Sequence, residues 1–265
     1  MSVFLNSKVN VSQGLDVFCN WVRYPQLDGD LGGYFFTSGW KVIPKKDRIP
    51  AMISIIDYGV GNLRSVQRAV EACGYQATIT TAPEEAAKAD IMIVPGQGAA
   101  GTAMRNLRER GLDEVIRTHA RTKPYMGICL GFQLLYDYSE EDGGQGCLGV
   151  LPGRVAKLPD MPGLKIPQMG WNQLHVKHDA SSFFVGLSAP IYAYFANSYV
   201  VVPAENAQTC TQTVYGIPFA SSVQTETLFA CQFHPEKSSA IGLGILQRFL
   251  DKQSSLQAGV YHNLR

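Results

Sequence analysis

Apolar residues in this chain fall into two textures that divide near residue 147. Before that point, short apolar runs alternate with stretches of helical period. Ile53, Ile55 and Ile56 form a run of strand length that stops at Asp57 and a glycine-rich turn. Leu63, Val66, Val70 and Cys73 then recur at helical spacing, and Gly74 supplies a stop signal. "YQATIT" predicts a second strand and "DIMIVPGQGAAG" a third, nearly all apolar as a strand covered on both faces must be. Helical segments follow over roughly 102–121. "YMGI" predicts the fourth strand and "LGFQLLYD" the helix after it.

Strands alternating with helices imply βαβ crossovers, hence a parallel sheet. The predicted class is α/β, an open, mostly parallel, flavodoxin-like sheet with helices on both faces. Functional groups should then sit beyond the C-terminal strand ends. From 147 onward the pattern changes to short strands with turns, "LPGRVAKLP", "QLHVKH", "YAYFANSYVVV" and "TLFACQF", which predict a smaller antiparallel sheet. Ile241, Ile245, Leu246 and Phe249 mark a last amphipathic helix. Residues 1–51 keep neither period, so the expected division is an extension over 1–51, one domain over 52–253 and a tail over 254–265. Met52 would serve as an alternative start.

At 265 residues the chain can bury a sizeable core. Its 23 basic and 22 acidic side chains nearly cancel, which argues against nucleic acid or an anionic membrane surface as a partner. The six cysteines, at 19, 73, 129, 147, 210 and 231, form no Cys-x-x-Cys pair and lack the density of a disulfide scaffold. No apolar stretch approaches the roughly 20 residues that span a bilayer, and the N-terminus lacks a basic region followed by a hydrophobic one. A soluble, cytoplasmic protein is the expectation.

Candidate chemistry starts at Cys129. The pattern Gly127-x-Cys129-x-Gly131, at a predicted strand-to-helix junction, is that of a nucleophile elbow with sulfur in place of oxygen. Backbone N–H groups at a helix start favour a thiolate there. Core packing is the competing reading, because free cysteine is among the most buried residue types. A nucleophilic thiol needs a base, and "FACQFHPEKS" places His234 at the end of an apolar strand with Glu236 two residues on, able to orient the ring. Strand three ends in Pro95-Gly96-Gln97-Gly98, where the N–H groups of Gln97 and Leu130 are candidate oxyanion donors; a plain tight turn is the alternative. The "GVGN" loop lacks the later glycine and the lysine of a phosphate cradle. His119, His175, His178 and His262 lack a strand-end carboxylate, and His175-x-x-His178 alone is weak support for zinc, so no metal is expected.

Five segments extend the pattern: "IDYGVGNLRSV", "PGQGAAGTAM", "MGICLGFQLL", "KIPQMGWNQL" and "CQFHPEKSS". Through them the chain from about 52 to 253, roughly three quarters of its length, resembles the class I (triad) glutamine amidotransferases. Within that class it looks like the glutaminase subunits of imidazole glycerol phosphate synthase, with Met169-Gly170-Trp171-Asn172 the most discriminating block. The resemblance implies a glutaminase with no cofactor, in which Cys129 attacks the glutamine carboxamide, His234 shuttles the proton and Glu236 orients His234. It implies that Gln133 and Glu141 hold the glutamine, with backbone contacts from Gly96 and Ser198. It also implies a heterodimer in which Asn62, Trp171 and Lys237 face a cyclase subunit built as a (β/α)8 barrel, which uses the ammonia in histidine biosynthesis. Two positions depart from the family's usual residues: Gln168 and Asn197 each stand where a histidine is common. Competing readings are the glutaminase of another biosynthetic pathway, a catalytically silent interaction module, and a cysteine peptidase or hydrolase on the related elbow fold.

Overall fold

A computed structural model of the chain describes residues 51–262 apart from 178–182, 185, 188 and 205–207, with side chains described up to residue 255. All but the last residue of the 1–51 extension lies outside the described residues, as do His178 and, for its side chain, His262. In chain order the first half contains β1 (Ile53–Ile56), α1 (Leu63–Ala72), β2 (Ala77–Thr80), α2 (Pro83–Lys88), β3 (Ile91–Gly96), α3 (Ala100–Glu109), α4 (Leu112–Thr122), β4 (Tyr125–Cys129) and α5 (Leu130–Gln133). Short β5 (Tyr138–Ser139) and β6 (Gln145–Gly146) lead to β7 (Gly153–Lys157), β8 (Gln168–Val176), β9 (Ile191–Asn197) and β10 (Tyr199–Pro203). Then come β11 (Thr209–Tyr215), β12 (Ile217–Gln224), β13 (Leu228–Cys231) and α6 (Ser239–His262).

Strands β2, β1, β3, β4 and β13 lie side by side, all parallel. Alternation along them feeds two cores. Ile91, Ile93, Met126 and Ile128 pack with Val66 and Val70 of α1 and Ile245 and Phe249 of α6, while Met92, Val94 and Tyr125 pack with Met104, Leu107 and Ile116 of α3 and α4. Helices therefore cover both faces, which is why these strands read as unbroken apolar runs. The antiparallel strands are continuous with this sheet: β12 joins β13, and β10 and β7 follow in turn. From β12 a second branch runs through β11 and β8 to β9.

Several elements differ from the pattern-based expectation, each for a local reason. The helical stretch over 102–121 is two helices parted at Gly111, whose φ of 65° is left-handed. The helix after Cys129 is a single turn. Beyond it the carbonyls of Leu134, Leu135 and Tyr136 accept from the N–H groups of residues 148–151 at 2.8–3.0 Å instead of from their own helix. "YAYFANSYVVV" divides at Ser198, whose carbonyl accepts from Leu158 N, so that β9 pairs with β8 and β10 with β7. The β11–β12 hairpin carries buried hydroxyls instead of an apolar stripe: Thr211 bonds Ser221 at 2.8 Å and Ser222 at 2.7 Å. Among the described residues no helix is long and apolar enough to cross a membrane.

Candidate active site

Parallel pairing sets the site. Gly96 lies opposite Cys129 across β3 and β4, and Ile128 opposite Cys231 across β4 and β13. The chain leaving β13 therefore passes beside Cys129, and His234 follows three residues later.

Cys129 has φ 55° and ψ −107°, backbone that costs about 1–3 kcal/mol for a residue with a Cβ. The flanking glycines explain how the turn closes. A Cβ on Gly131 would fall 1.8 Å from the Val94 carbonyl oxygen, and one on Gly127 2.8 Å from the Gly131 oxygen. Cys129 is buried within the core, as a packing residue would be, but packing alone gives no reason for such strain, and that favours the elbow reading.

His234 and Glu236 are nearly sealed from water, their side chains 2% and 3% exposed. A single 3-10 turn over Pro235–Lys237 folds the carboxylate back onto the ring, where Nδ1–H donates to Oε1 at 2.8 Å. A carboxylate can only accept, so the other nitrogen, Nε2, is the one left for chemistry. It is buried and has no hydrogen-bond partner among the described residues. Burial by itself lowers the His234 pKa, but the nearby Cys129 sulfur and the Glu236 carboxylate outweigh it and carry it up to about 10. Its main chain is pinned as well: His234 N donates to the Tyr194 carbonyl at 2.9 Å, and the Ser238 hydroxyl donates to the His234 carbonyl at 2.6 Å.

Cys129 opens on a cavity of about 370 Å³ that Gln97, Leu130, Gln133, Glu141 and Ser198, among others, also line. That volume suits a small, polar metabolite. Both candidate oxyanion residues and three of the four candidate substrate residues are thus together, and Gly96 sits at the strand end beside them. Glu141 also has a structural task, since its Oε2 accepts from Ala100 N at 2.6 Å at the start of α3. Burial raises its pKa while that N–H opposes the rise. Gly96 has no room for a side chain, because a Cβ there would lie 2.1 Å from the Tyr58 hydroxyl. That hydroxyl donates to the Pro95 carbonyl at 2.8 Å and so holds the peptide leading into Gly96.

Of the candidate interface residues, Trp171 is 46% exposed and meets Tyr194 edge-on at 6.3 Å, and the Lys237 ammonium lies 5.7 Å from the centre of that same ring. Met169, 68% exposed, is on the same outward face of β8. Trp171 is no core tryptophan. Asn62 is exposed on the β1–α1 loop and caps α1 through Ser65 N. The two unusual positions form one feature: Gln168 and Asn197 are register partners across β8 and β9. Both are buried, and both amide atoms of Gln168 and the oxygen of Asn197 lack a hydrogen-bond partner among the described residues.

Two contacts were not legible in the sequence. They are those of Tyr58 and Gln232, neither of which was a candidate. Gln232 is fully buried, and its amide donates to Cys129 Sγ at 3.5 Å. A polar residue inside the apolar run "LFACQF", two before the histidine, was the one available signal.

Comparison with known proteins points the same way. The model of the family "Glutamine amidotransferase class-I" matches residues 54–253. The imidazole glycerol phosphate synthase subunit HisH of Dehalococcoides mccartyi is 46% identical over 201 residues, covering 75% of this chain and 96% of that protein. The same subunit of Aquifex aeolicus is 46% identical over 204 residues, covering 76% and 97%. A chain in the structure of PurLQS from Thermotoga maritima superposes with a TM-score of 0.60 at 20% identity, covering 77% of this chain and 99% of that one, which speaks to the fold alone.

Proposed function

The chain belongs to the class I glutamine amidotransferases, and from that premise we propose that it is the glutaminase subunit of an imidazole glycerol phosphate synthase, releasing ammonia from glutamine. The observation that carries the chemistry is the strained Cys129 elbow at the end of β4, beside the strand β13 whose continuation carries the buried, hydrogen-bonded His234–Glu236 pair. The pathway assignment rests on relatives that bear the synthase subunit's name and are matched over nearly their full length. A silent docking module would have no use for the elbow strain or for a buried, unpartnered imidazole nitrogen.

Cys129, as thiolate, attacks the carboxamide carbon, and the carbonyl electrons move onto oxygen. The N–H groups of Gln97 and Leu130 receive that oxyanion. Collapse restores the carbonyl and breaks the C–N bond, while His234 gives its Nε2 proton to the departing nitrogen and ammonia leaves. The neutral imidazole then takes a proton from water, whose oxygen attacks the γ-glutamyl thioester. A second collapse expels the Cys129 thiolate and frees glutamate. Glu236 keeps the ring in one tautomer and balances the imidazolium. Gln133, Glu141, Gly96 and Ser198 hold the substrate's remaining polar groups. At Ser198 the carbonyl is already taken by Leu158 N, so its N–H is the group on offer.

Ammonia released into water is protonated and lost as a nucleophile, so it must leave through a covered face. The exposed Trp171 and Met169, with Lys237 beside the same tyrosine ring, are the core of the face on which a (β/α)8 cyclase subunit would dock as a heterodimer, with Asn62 as a further contact, in the cytoplasm where a catalytic thiol stays reduced. Cys129→Ala is the test. Glutamine-dependent synthesis by the complex falls about 10⁴-fold or more, while synthesis from added ammonium salts persists. Loss of both activities in a folded complex would refute this division of labour.

A further inference from the structure

The Cys129 sulfur sits between an acceptor and a donor. On one side it lies 3.9 Å from the Ala196 carbonyl oxygen, a partner for the neutral thiol; on the other, Gln232 Nε2 lies 3.5 Å away, a partner for the anion. We propose that Gln232 is a further catalytic residue, whose side-chain N–H holds the Cys129 thiolate during attack and during its expulsion from the thioester. This rests on the glutaminase reading of the site.

What makes the proposal specific is that the amide cannot turn round. A backbone carbonyl only accepts, so the Tyr199 carbonyl fixes the nitrogen of Gln133, which donates to it at 3.0 Å. That same nitrogen donates at 2.9 Å to Gln232 Oε1. With its oxygen committed there, Gln232 must present Nε2 to the sulfur. Asn197 Nδ2 donates to the same Tyr199 carbonyl at 3.1 Å, which fixes the anchor from a second side. A buried anion needs such donors, since water is excluded and an uncompensated charge there is costly. α5 is a single turn, so the helix dipole behind Cys129 is small, and a side-chain donor has more to contribute. The relay also passes through Gln133, which lines the substrate cavity, so a bound glutamine and the thiolate are felt by the same pair of amides.

The test alkylates Cys129 with iodoacetamide in the full chain, following the Cys129 peptide by mass spectrometry from pH 5 to 10. In Gln232→Leu the alkylation rate at neutral pH falls about tenfold, the size of a charge-assisted hydrogen bond, and kcat for glutamine falls at least as far while KM changes little. Gln232→Met, which keeps the length but offers no donor to the sulfur, falls as far. Rates within twofold of the parent in both variants, with folding intact, would overturn the proposal while leaving the glutaminase reading to the Cys129→Ala result. Should neither variant fold, the unaltered protein supplies the answer: the side-chain amide ¹⁵N and ¹H signals of Gln232 move together with Cys129 ionisation and are still in Cys129→Ala. Signals indifferent to Cys129 would refute it.

Discussion

At the C-terminal ends of the parallel strands Cys129, His234 and Glu236 are each fixed by packing or hydrogen bonds, whereas the β8–β9 hairpin leaves both amide atoms of Gln168 and the oxygen of Asn197 without partners among the described residues and holds Met169 and Trp171 in water. Gly127 and Gly131 exist at the elbow because there is no room for anything else. Gly170 on β8, by contrast, has open space around the position of a Cβ. The elbow is built to stand alone. The hairpin carries Trp171 and Met169 outside, as the proposed docking face requires, and the Gln168–Asn197 pair inside.

Paired glycine substitutions strain this contrast most. Gly131→Ala drives a Cβ into the Val94 carbonyl of a central strand, which has helices on both faces and cannot retreat. A loss of about 3 kcal/mol or more is expected, a large part of the stability of a typical domain. Gly170→Ala meets only the backbone strain of φ 135°, about 1–3 kcal/mol. Urea unfolding of the two variants checks this, and equal losses would mean that the hairpin is as tightly determined as the elbow.

The next effect is smaller and falls on the other side. Trp171→Ala should weaken cyclase binding by about 2 kcal/mol, roughly 30-fold in Kd, as a truncated interface anchor does. The stability of the isolated chain should change by less than about 1 kcal/mol, because half the ring is already in water. Titration calorimetry against the partner and thermal melts of the chain alone separate the two. A Trp171→Ala chain that melts much earlier yet binds normally would return this residue to the core.

How much of this was legible beforehand follows the same divide. The parallel strands could be read because both their faces are apolar, and the placement of Cys129, His234 and Glu236 at neighbouring strand ends because chain order and space coincide there. The hairpin β11–β12 was invisible: Thr211, Ser221 and Ser222 satisfy one another inside the protein, and no count of apolar residues registers hydroxyl pairing. The short α5 was missed because the apolar run of Leu134 and Leu135 keeps helical spacing while its carbonyls bond to residues 148–151. Gln232 and Tyr58 act through contacts between segments distant in the chain, which spacing does not reveal.

The smallest effect separates two buried histidines, one on each side of the elbow's chemistry. His119 lies on α4 in the scaffold, its Nε2 bonded to the Pro124 carbonyl at 3.0 Å, and burial pushes its pKa down to about 4. His234 goes the other way, to about 10, because Cys129 and Glu236 outweigh its burial. The signs are opposite. A raised value means that the folded state prefers the imidazolium, so this stabilisation is full below the unfolded value of about 6.5 and fades as pH rises toward 10. A lowered value means that the folded state prefers neutral imidazole, so that share is full above about 6.5 and is lost as pH falls toward 4. Thermal melts from pH 4 to 10 should therefore show His234→Asn flattening the alkaline fall in Tm and His119→Asn the acid one. An alkaline limb equally steep with and without His234 would mean that the imidazolium is not held in the folded protein, and the proton given to the leaving ammonia would need another source.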